Sequence, residues 1–176
     1  IPEDRLRSAL APSLSVTDNM ALRDYAHPPI DRHGLYDAKA ADALAHAIAR
    51  QAEVSIPDLA MPVRNLSGGN QQRLVARREI RIASRVLVAA YPARGLDIGA
   101  IATMLGYLTA LRDRGVAVVF ISEDLEDLLN VSDRIGVMFQ GRLMSIIDAE
   151  AADMATIGLL MGGRVAADLP GTGVRQ

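Results

Sequence analysis

The run Asn65-Leu66-Ser67-Gly68-Gly69-Asn70-Gln71-Gln72-Arg73 holds the residue types of an anion site. Helix starts leave amide N–H groups without intrahelical partners and carry a partial positive charge. A Ser-Gly-Gly step lets backbone amides approach a phosphate closely, and Ser67 adds a hydroxyl donor. The three residues also fit a plain glycine turn with a serine cap. The whole string, followed by a helix and then a buried-type strand, favours the phosphate reading. A nucleotide site needs more. A P-loop requires G-x-x-x-x-G-K-[ST], whose lysine reaches the phosphates. The only lysine is Lys39, in Tyr36-Asp37-Ala38-Lys39-Ala40-Ala41-Asp42, with no glycine loop before it. His27, His33 and His46 are unclustered, whereas ligand sets need three or four converging groups, so no metal site is expected.

The elements that must position this run follow from periodicity and punctuation. Residues 14–25 read as a helix capped by Thr17 or Asp18, with Met20, Leu22 and Tyr25 as core candidates. Residues 26–34 form a Pro-rich loop, and 35–54 an alanine-rich helix with Leu44 and Ile48 facing inward. The first 65 residues are thus mostly helical, without a strong strand signal. Residues 70–83 continue the run as a helix, with Arg77, Arg78 and Arg81 expected on a solvated face. Apolar runs at 85–90 and 116–122 read as buried strands, separated by a helix over 99–115 that Gly115 stops. A short helix over 124–132 begins with an acidic turn of Asp124, Glu126 and Asp127 after Glu123. Residues 134–139 and 142–147 are strands about a Gln140-Gly141 turn, and 151–162 a last helix. Strands alternating with helices indicate an α/β layer with a mainly parallel sheet.

Composition sets the bounds. The chain has 176 residues, 50% hydrophobic and 23% charged, which suits a globular protein of one ordinary domain or a large piece of one. A net charge of -2 gives no basic footprint for nucleic acid. Cysteine is absent, which removes disulfides and thiolate metal sites. No apolar run approaches the roughly 20 residues needed to span a bilayer.

At this point a resemblance becomes specific. "NLSGGNQQRLVAR" resembles the signature of ABC transporter ATPases, in the form with Asn after the glycines. "VLVAAYPARGLDIGAI" (86–101) looks like the Walker B strand and D-loop. "VAVVFISEDLEDLLNVSDRIGVMFQGRL" (116–143) looks like the switch region, the last sheet strands and their hairpin. "IPEDRL" and "LSVTDNMAL" resemble the Q-loop and the start of the helical subdomain. The match spans about residues 1–163 with four motifs in order. "AAYPARGLDIGAI", "ISEDLEDLL" and "IGLLMGG" are similar to the second ATPase half of the sugar and nucleoside import branch. "VARREIRIAS" is one residue longer than the family pattern, which leaves the register of Arg77 and Arg78 open.

Four positions depart from the pattern that the resemblance implies. The Walker B Asp-Glu, which helps hold Mg²⁺ and polarises the attacking water, is replaced by Ala90 and Tyr91. Alanine offers no oxygen ligand, and a neutral phenol is a poor base at pH 7. The switch histidine position is Glu123, and the Q-loop glutamine position is Glu3. A carboxylate about 4 Å from a γ-phosphate would cost roughly 4 kcal/mol at an effective dielectric near 20.

The resemblance implies a partial P-loop NTPase (ABC ATPase) domain, α/β, with a helical subdomain. The expected division is 1–82 (Q-loop remnant, helical subdomain, signature helix), 83–163 (RecA-like subdomain) and a flexible tail over 164–176. Family ATPase halves dimerise head to tail, so Leu66, Ser67, Gly68, Gly69, Asn70 and Gln71 would bind nucleotide in trans, with Asp97 in the D-loop position. ATP and Mg²⁺ would be held mainly by the other ATPase half. The expected partners are that half and membrane permease subunits, with no nucleic acid. The expected location is peripheral, on the cytoplasmic face of the plasma membrane. With no Walker A and a start at Ile1-Pro2, the chain is expected to be a piece of a longer importer ATPase, inactive by itself. A non-transport ABC-type ATPase and a truncated inactive product are the alternatives.

Overall fold

A computed structural model gives the structure, which describes residues 1–164. Two compact units divide the chain, Ile1–Ile121 and Ser122–Gln176.

The first unit opens with helices built on side-chain caps. Helix α1 (Arg5–Ser8) is capped by Asp4. Helix α2 (Val16–Ala21) is capped by Ser15, not by Thr17 or Asp18. Asp18 instead sits at the third helical position, its N–H donating to Ser15 Oγ at 2.9 Å and its Oδ2 accepting from the Ser15 hydroxyl at 2.6 Å. Val16 and Met20, four residues apart, are fully buried. Leu22 and Tyr25 are 37% and 65% exposed, because the helix stops at Ala21 and they leave its buried stripe. Buried Asn19 donates to the Ala11 and Ser15 carbonyls and accepts from Ala11 N, which fixes the loop before α2.

The Pro-rich stretch contains a small hairpin, β1 (Asp31–Arg32) and β2 (Leu35–Tyr36), around His33 and Gly34 at φ 57° and 83°. Two consecutive left-handed residues are the geometry of a two-residue hairpin turn. Helix α3 (Ala38–Gln51) is capped by Asp37 and buries Ala41, Ala45, Ile48 and Ala49. Helix α4 (Gly68–Ile82) follows a short 3-10 turn at Val63–Asn65. Leu10, Val16, Met20, Ile48, Leu59, Val63 and Leu74 close one core over these helices. Each fully buried aliphatic side chain is worth about 1.5–3 kcal/mol.

Strand β3 (Val86–Ala90), helix α5 (Ile98–Asp113) and strand β4 (Ala117–Ile121) form a parallel β-α-β unit. Val86 pairs with Ala117 and Ala90 with Ile121. Gly115, at φ 82°, turns the chain from α5 back to β4. Leu87 packs with Ala76, Ile80, Met104, Leu108 and Leu111. The other face differs from the buried-strand expectation: Val88 and Val119 are 55% and 53% exposed. On the far edge of β3, Ile1 donates to Val88 O and accepts from Ala90 N, both at 2.8 Å. That is the bonding of a parallel ladder.

The second unit holds α6 (Leu125–Val131), the hairpin β5 (Arg134–Phe139) with β6 (Arg142–Asp148), and α7 (Met154–Met161). Gln140 and Gly141, both at positive φ, make the hairpin turn. Asp124 caps α6 by accepting from Glu126 N and Asp127 N. Ile135, Val137, Ile147, Ile157 and Leu160 form its core. The expected tail lies outside the described residues from 165 onward.

Candidate functional site: the start of helix α4 and the turn after β3

Ser67 is the N-cap of α4, with extended backbone (φ -60°, ψ 152°) and Oγ accepting from Asn70 N at 3.3 Å. Because Oγ accepts, its own O–H proton is left to donate outward. The first turn of α4 carries no acidic side chain, so nothing offsets the positive pole there. Gly69 faces the turn after β3: a Cβ on it would sit 3.7 Å from Leu96 Cδ2. A Cβ on Gly68 would meet Arg5 Nη2 at 2.5 Å, so the Arg5 side chain would have to move aside. The close approach that the two glycines permit is therefore used within the fold, by Arg5 and Leu96.

The amides after the glycines have internal partners. Asn70 Oδ1 accepts from Arg73 Nη2 at 2.7 Å. Gln71 is buried, and its Nε2 donates to Val63 O and Leu66 O while its Oε1 accepts from Arg5 Nε. Leu66 packs against the helical core. Gln72, which the sequence reading did not single out, donates from Nε2 to Pro92 O at 3.0 Å and ties α4 to the turn after β3. Its Oε1 is buried without a hydrogen-bond partner. No local sequence signal distinguishes Gln72 from a surface amide, because its partner lies 20 residues away.

The turn after β3 gathers four of the expected positions in the first unit, Ala90, Tyr91, Glu3 and Asp97. Ala90 ends the strand, and Tyr91 follows at φ 49°, its N–H donating to Ile121 O. Left-handed backbone is uncommon for a bulky residue and costs of order 1 kcal/mol or more. Arg94 lies over the Tyr91 ring at 5.5 Å and donates to Glu3 at 2.5 Å. Asp97 caps α5, accepting from Ala100 N at 2.9 Å. Glu123 belongs to the second unit, directly before the Asp124 cap.

The expected solvated arginine face of α4 holds for Arg81, which is exposed, and in part for Arg77, but not for Arg78. Arg78 is 2% exposed and donates to Glu79, Asn19 O and Ala9 O. Arg23 pairs with Glu79 from the other side. Burial pushes the Glu79 carboxyl up, but Arg23 and Arg78 outweigh it and hold it below the usual range. Burial also lowers the Arg78 guanidinium. Arg77 lies over the Tyr107 ring at 4.8 Å and donates to Gln51, and Arg81 pairs with Asp24. Helix α4 thus turns Arg78 inward because backbone carbonyls of Ala9 and Asn19 and the Glu79 carboxylate receive it.

Two cofactor sides fare differently. The Ser67-Gly68-Gly69 start fits one side of a phosphate group, with a serine hydroxyl, a helix N-terminus and no carboxylate in its first turn. The end of β3 does not fit Mg²⁺. Ala90 and Tyr91 supply no carboxylate, and the nearby Glu3 is engaged by Arg94. Among the described residues no group of three or more His, Cys, Asp or Glu could hold a metal ion.

No protein-family model matches the chain. It is 37% identical over 163 residues to the nucleoside import ATP-binding protein NupA of Lactococcus lactis subsp. cremoris (strain MG1363), covering 93% of this chain and 32% of that protein. It is 36% identical over 163 residues to the guanosine import ATP-binding protein NupO of Bacillus subtilis (strain 168), with the same coverage. It is 35% identical over 168 residues to the ribose import ATP-binding protein RbsA of Lactococcus lactis subsp. cremoris (strain SK11), covering 93% of this chain and 33% of that protein. The chain spans about a third of the length of the curated relatives it matches. In fold it is similar to the ATP-binding cassette MJ0796, solved as a dimer in a post-hydrolysis state bound to ADP and Pi. The TM-score is 0.67 at 21% identity, over 80% of this chain and 59% of that one. Over 93% of its length the chain is thus a homologue of about a third of nucleoside and ribose import ATP-binding proteins, and it has the fold of an ATP-binding cassette.

Proposed function

We propose that this chain supplies the signature motif, in trans, to an ATP site whose Walker motifs lie on another ATPase half, in an importer of simple sugars or nucleosides. The carrying observation is a phosphate-competent helix start at Ser67 in a chain that has no P-loop. Ser67 would donate its hydroxyl, and the α4 amides their N–H groups, to the terminal phosphates, with Leu66, Asn70 and Gln71 fixing that helix start. Asp97 caps α5 and would sit at the D-loop position. ATP brings the phosphoryl group when bound. No step is assigned to Mg²⁺ at Ala90 and Tyr91, whose chemistry does not fit it, nor to Glu3 or Glu123. One site of the assembly is then competent and the other degenerate.

The names of the relatives support the import role, and no helix among the described residues is long and apolar enough to cross a membrane. The location that goes with it is peripheral, at the cytoplasmic membrane face, through permease subunits. Residues 1–82 would act as Q-loop remnant, helical subdomain and signature helix, and 83–163 as the RecA-like part.

The test is Ser67→Arg in the assembly containing both ATPase halves. A bulky cation in place of the cap fills the phosphate position, and ATPase activity and uptake should both fall by about 100-fold or more. Survival of both refutes the trans role. The 176-residue chain alone should show no ATP turnover above background.

A further inference from the structure

Glu3, Asp4 and Arg5 stand between two parts of the proposed machinery and hold a side chain toward each. Arg5 Nε donates to Gln71 Oε1 at 3.2 Å, and Arg5 Nη2 fills the space beside Gly68 that a Cβ would need. Gln71 in turn donates to Val63 O and Leu66 O, on the turn that leads into Ser67. Two residues earlier, Glu3 accepts from Arg94, which lies over Tyr91. Asp4, between them, accepts from Arg7 N and anchors the segment's backbone at α1. Glu3, Asp4, Arg5 and Arg94, with Leu6, line one hollow.

A guanidinium beside the positive end of a helix is electrostatically unfavourable. Its presence there gives geometry instead: the rigid fork of Arg braces an amide on one side and covers Gly68 on the other. We infer that Arg5 is a positioning residue. It sets the Ser67-Gly68-Gly69 amides through Gln71, and the Glu3–Arg94 pair links that setting to the turn that ends in the Asp97 cap. The inference rests on the proposed signature role. Arg5 acts through Gln71 and Gly68 rather than on the nucleotide. A change at the β3 turn would then be felt at the phosphate-binding helix start, and the reverse.

The test uses Arg5→Met and Arg5→Lys in the two-half assembly, beside Ser67→Arg as the control for the signature role. Arg5→Met should lower kcat by about 10-fold or more with less than about 3-fold change in KM for ATP, the pattern of lost orientation. Arg5→Lys should not restore kcat, because an ammonium lacks the fork. Normal kcat in Arg5→Met, with Ser67→Arg inactive, overturns the positioning role. If Ser67→Arg is fully active, the signature reading falls, and Arg5 is judged by a second measurement that needs no ATP. In amide NMR spectra of the 176-residue chain, Arg5→Met should move Gly68, Gly69 and Asn70 together with Arg94–Asp97, and leave Leu108 and Leu111 unmoved. Shifts confined to residues 4–6, or to one side of the link, overturn it.

Discussion

At the scale of single residues, Ser67 and Asp97 each carry a helix cap in addition to their place in a motif. Ser67 caps α4 and Asp97 caps α5. A functional test at either must therefore separate stability from chemistry. Ser67→Ala and Asp97→Ala should each lower unfolding free energy by about 1 kcal/mol, read from urea midpoints, because an orphan N–H loses its acceptor. Asp97→Asn keeps an acceptor at the cap and should stay within about 0.5 kcal/mol of the parent. Tyr91 shows the same overlap of roles. It directly follows β3, and its left-handed backbone lies beneath a stacked Arg94. The motif residues were readable in the sequence because they are contiguous. Their caps were readable too, since a serine or aspartate before a helix has few other local partners.

At the scale of the element, α4 carries an arginine network that its sequence alone misrepresents. Arg78 looks like a surface residue in a basic run, yet it reaches Ala9 O and Asn19 O, on segments 69 and 59 residues away. Arg78→Met keeps much of the volume but leaves a buried carbonyl, Asn19 O, and a half-buried one, Ala9 O, without their Arg78 donor. It should cost about 3 kcal/mol or more by urea denaturation, more than Arg77→Met on the exposed side. Glu79 gives this network a pH dependence. Arg23 and Arg78 hold its folded-state pKa below the ordinary carboxylate value, so its contribution is fully present above the unfolded pKa and is lost as pH falls through the folded one. The melting temperature should fall between about pH 5 and pH 3, and Glu79→Gln should flatten that part of the profile while lowering stability at pH 7. An unchanged acid limb in Glu79→Gln would remove Glu79 from the account.

At the scale of the whole molecule, the strand pair of the first unit is only partly enclosed. Parallel strands are ordinarily covered on both faces. Here Leu87 and Ala89 are buried, while Val86, Val88, Val119 and Ile121 are exposed. The relatives are about three times longer, and the cassette of similar fold is matched over 59% of its length. An apolar strand face without cover promotes self-association. The chain by itself should bind the dye ANS and sediment partly as oligomers. Val88→Lys with Val119→Lys should reduce both without lowering the melting temperature by more than a few degrees. Equal dye binding in parent and variant would show that this face is not the sticky one.

The sequence by itself determined the order of the main elements, the α/β class, the Ser67-Gly68-Gly69 helix start and the absence of a P-loop motif, because each depends on residues close together in the chain. Periodicity located α3, α4, α5 and both later strands to within a few residues, and Gly115 and Gln140-Gly141 marked their turns. It misplaced the cap of α2, missed the small hairpin at 31–36, and put Leu22 and Tyr25 in the core and Arg78 in solvent. Only the tertiary structure decided those, since burial depends on which distant surface arrives. It also decided that Glu3 meets Arg94, 91 residues on, and that Arg5 meets Gln71, 66 residues on. Side-chain type records what a residue can bond to. Which partner it receives is set by packing between segments far apart in the chain.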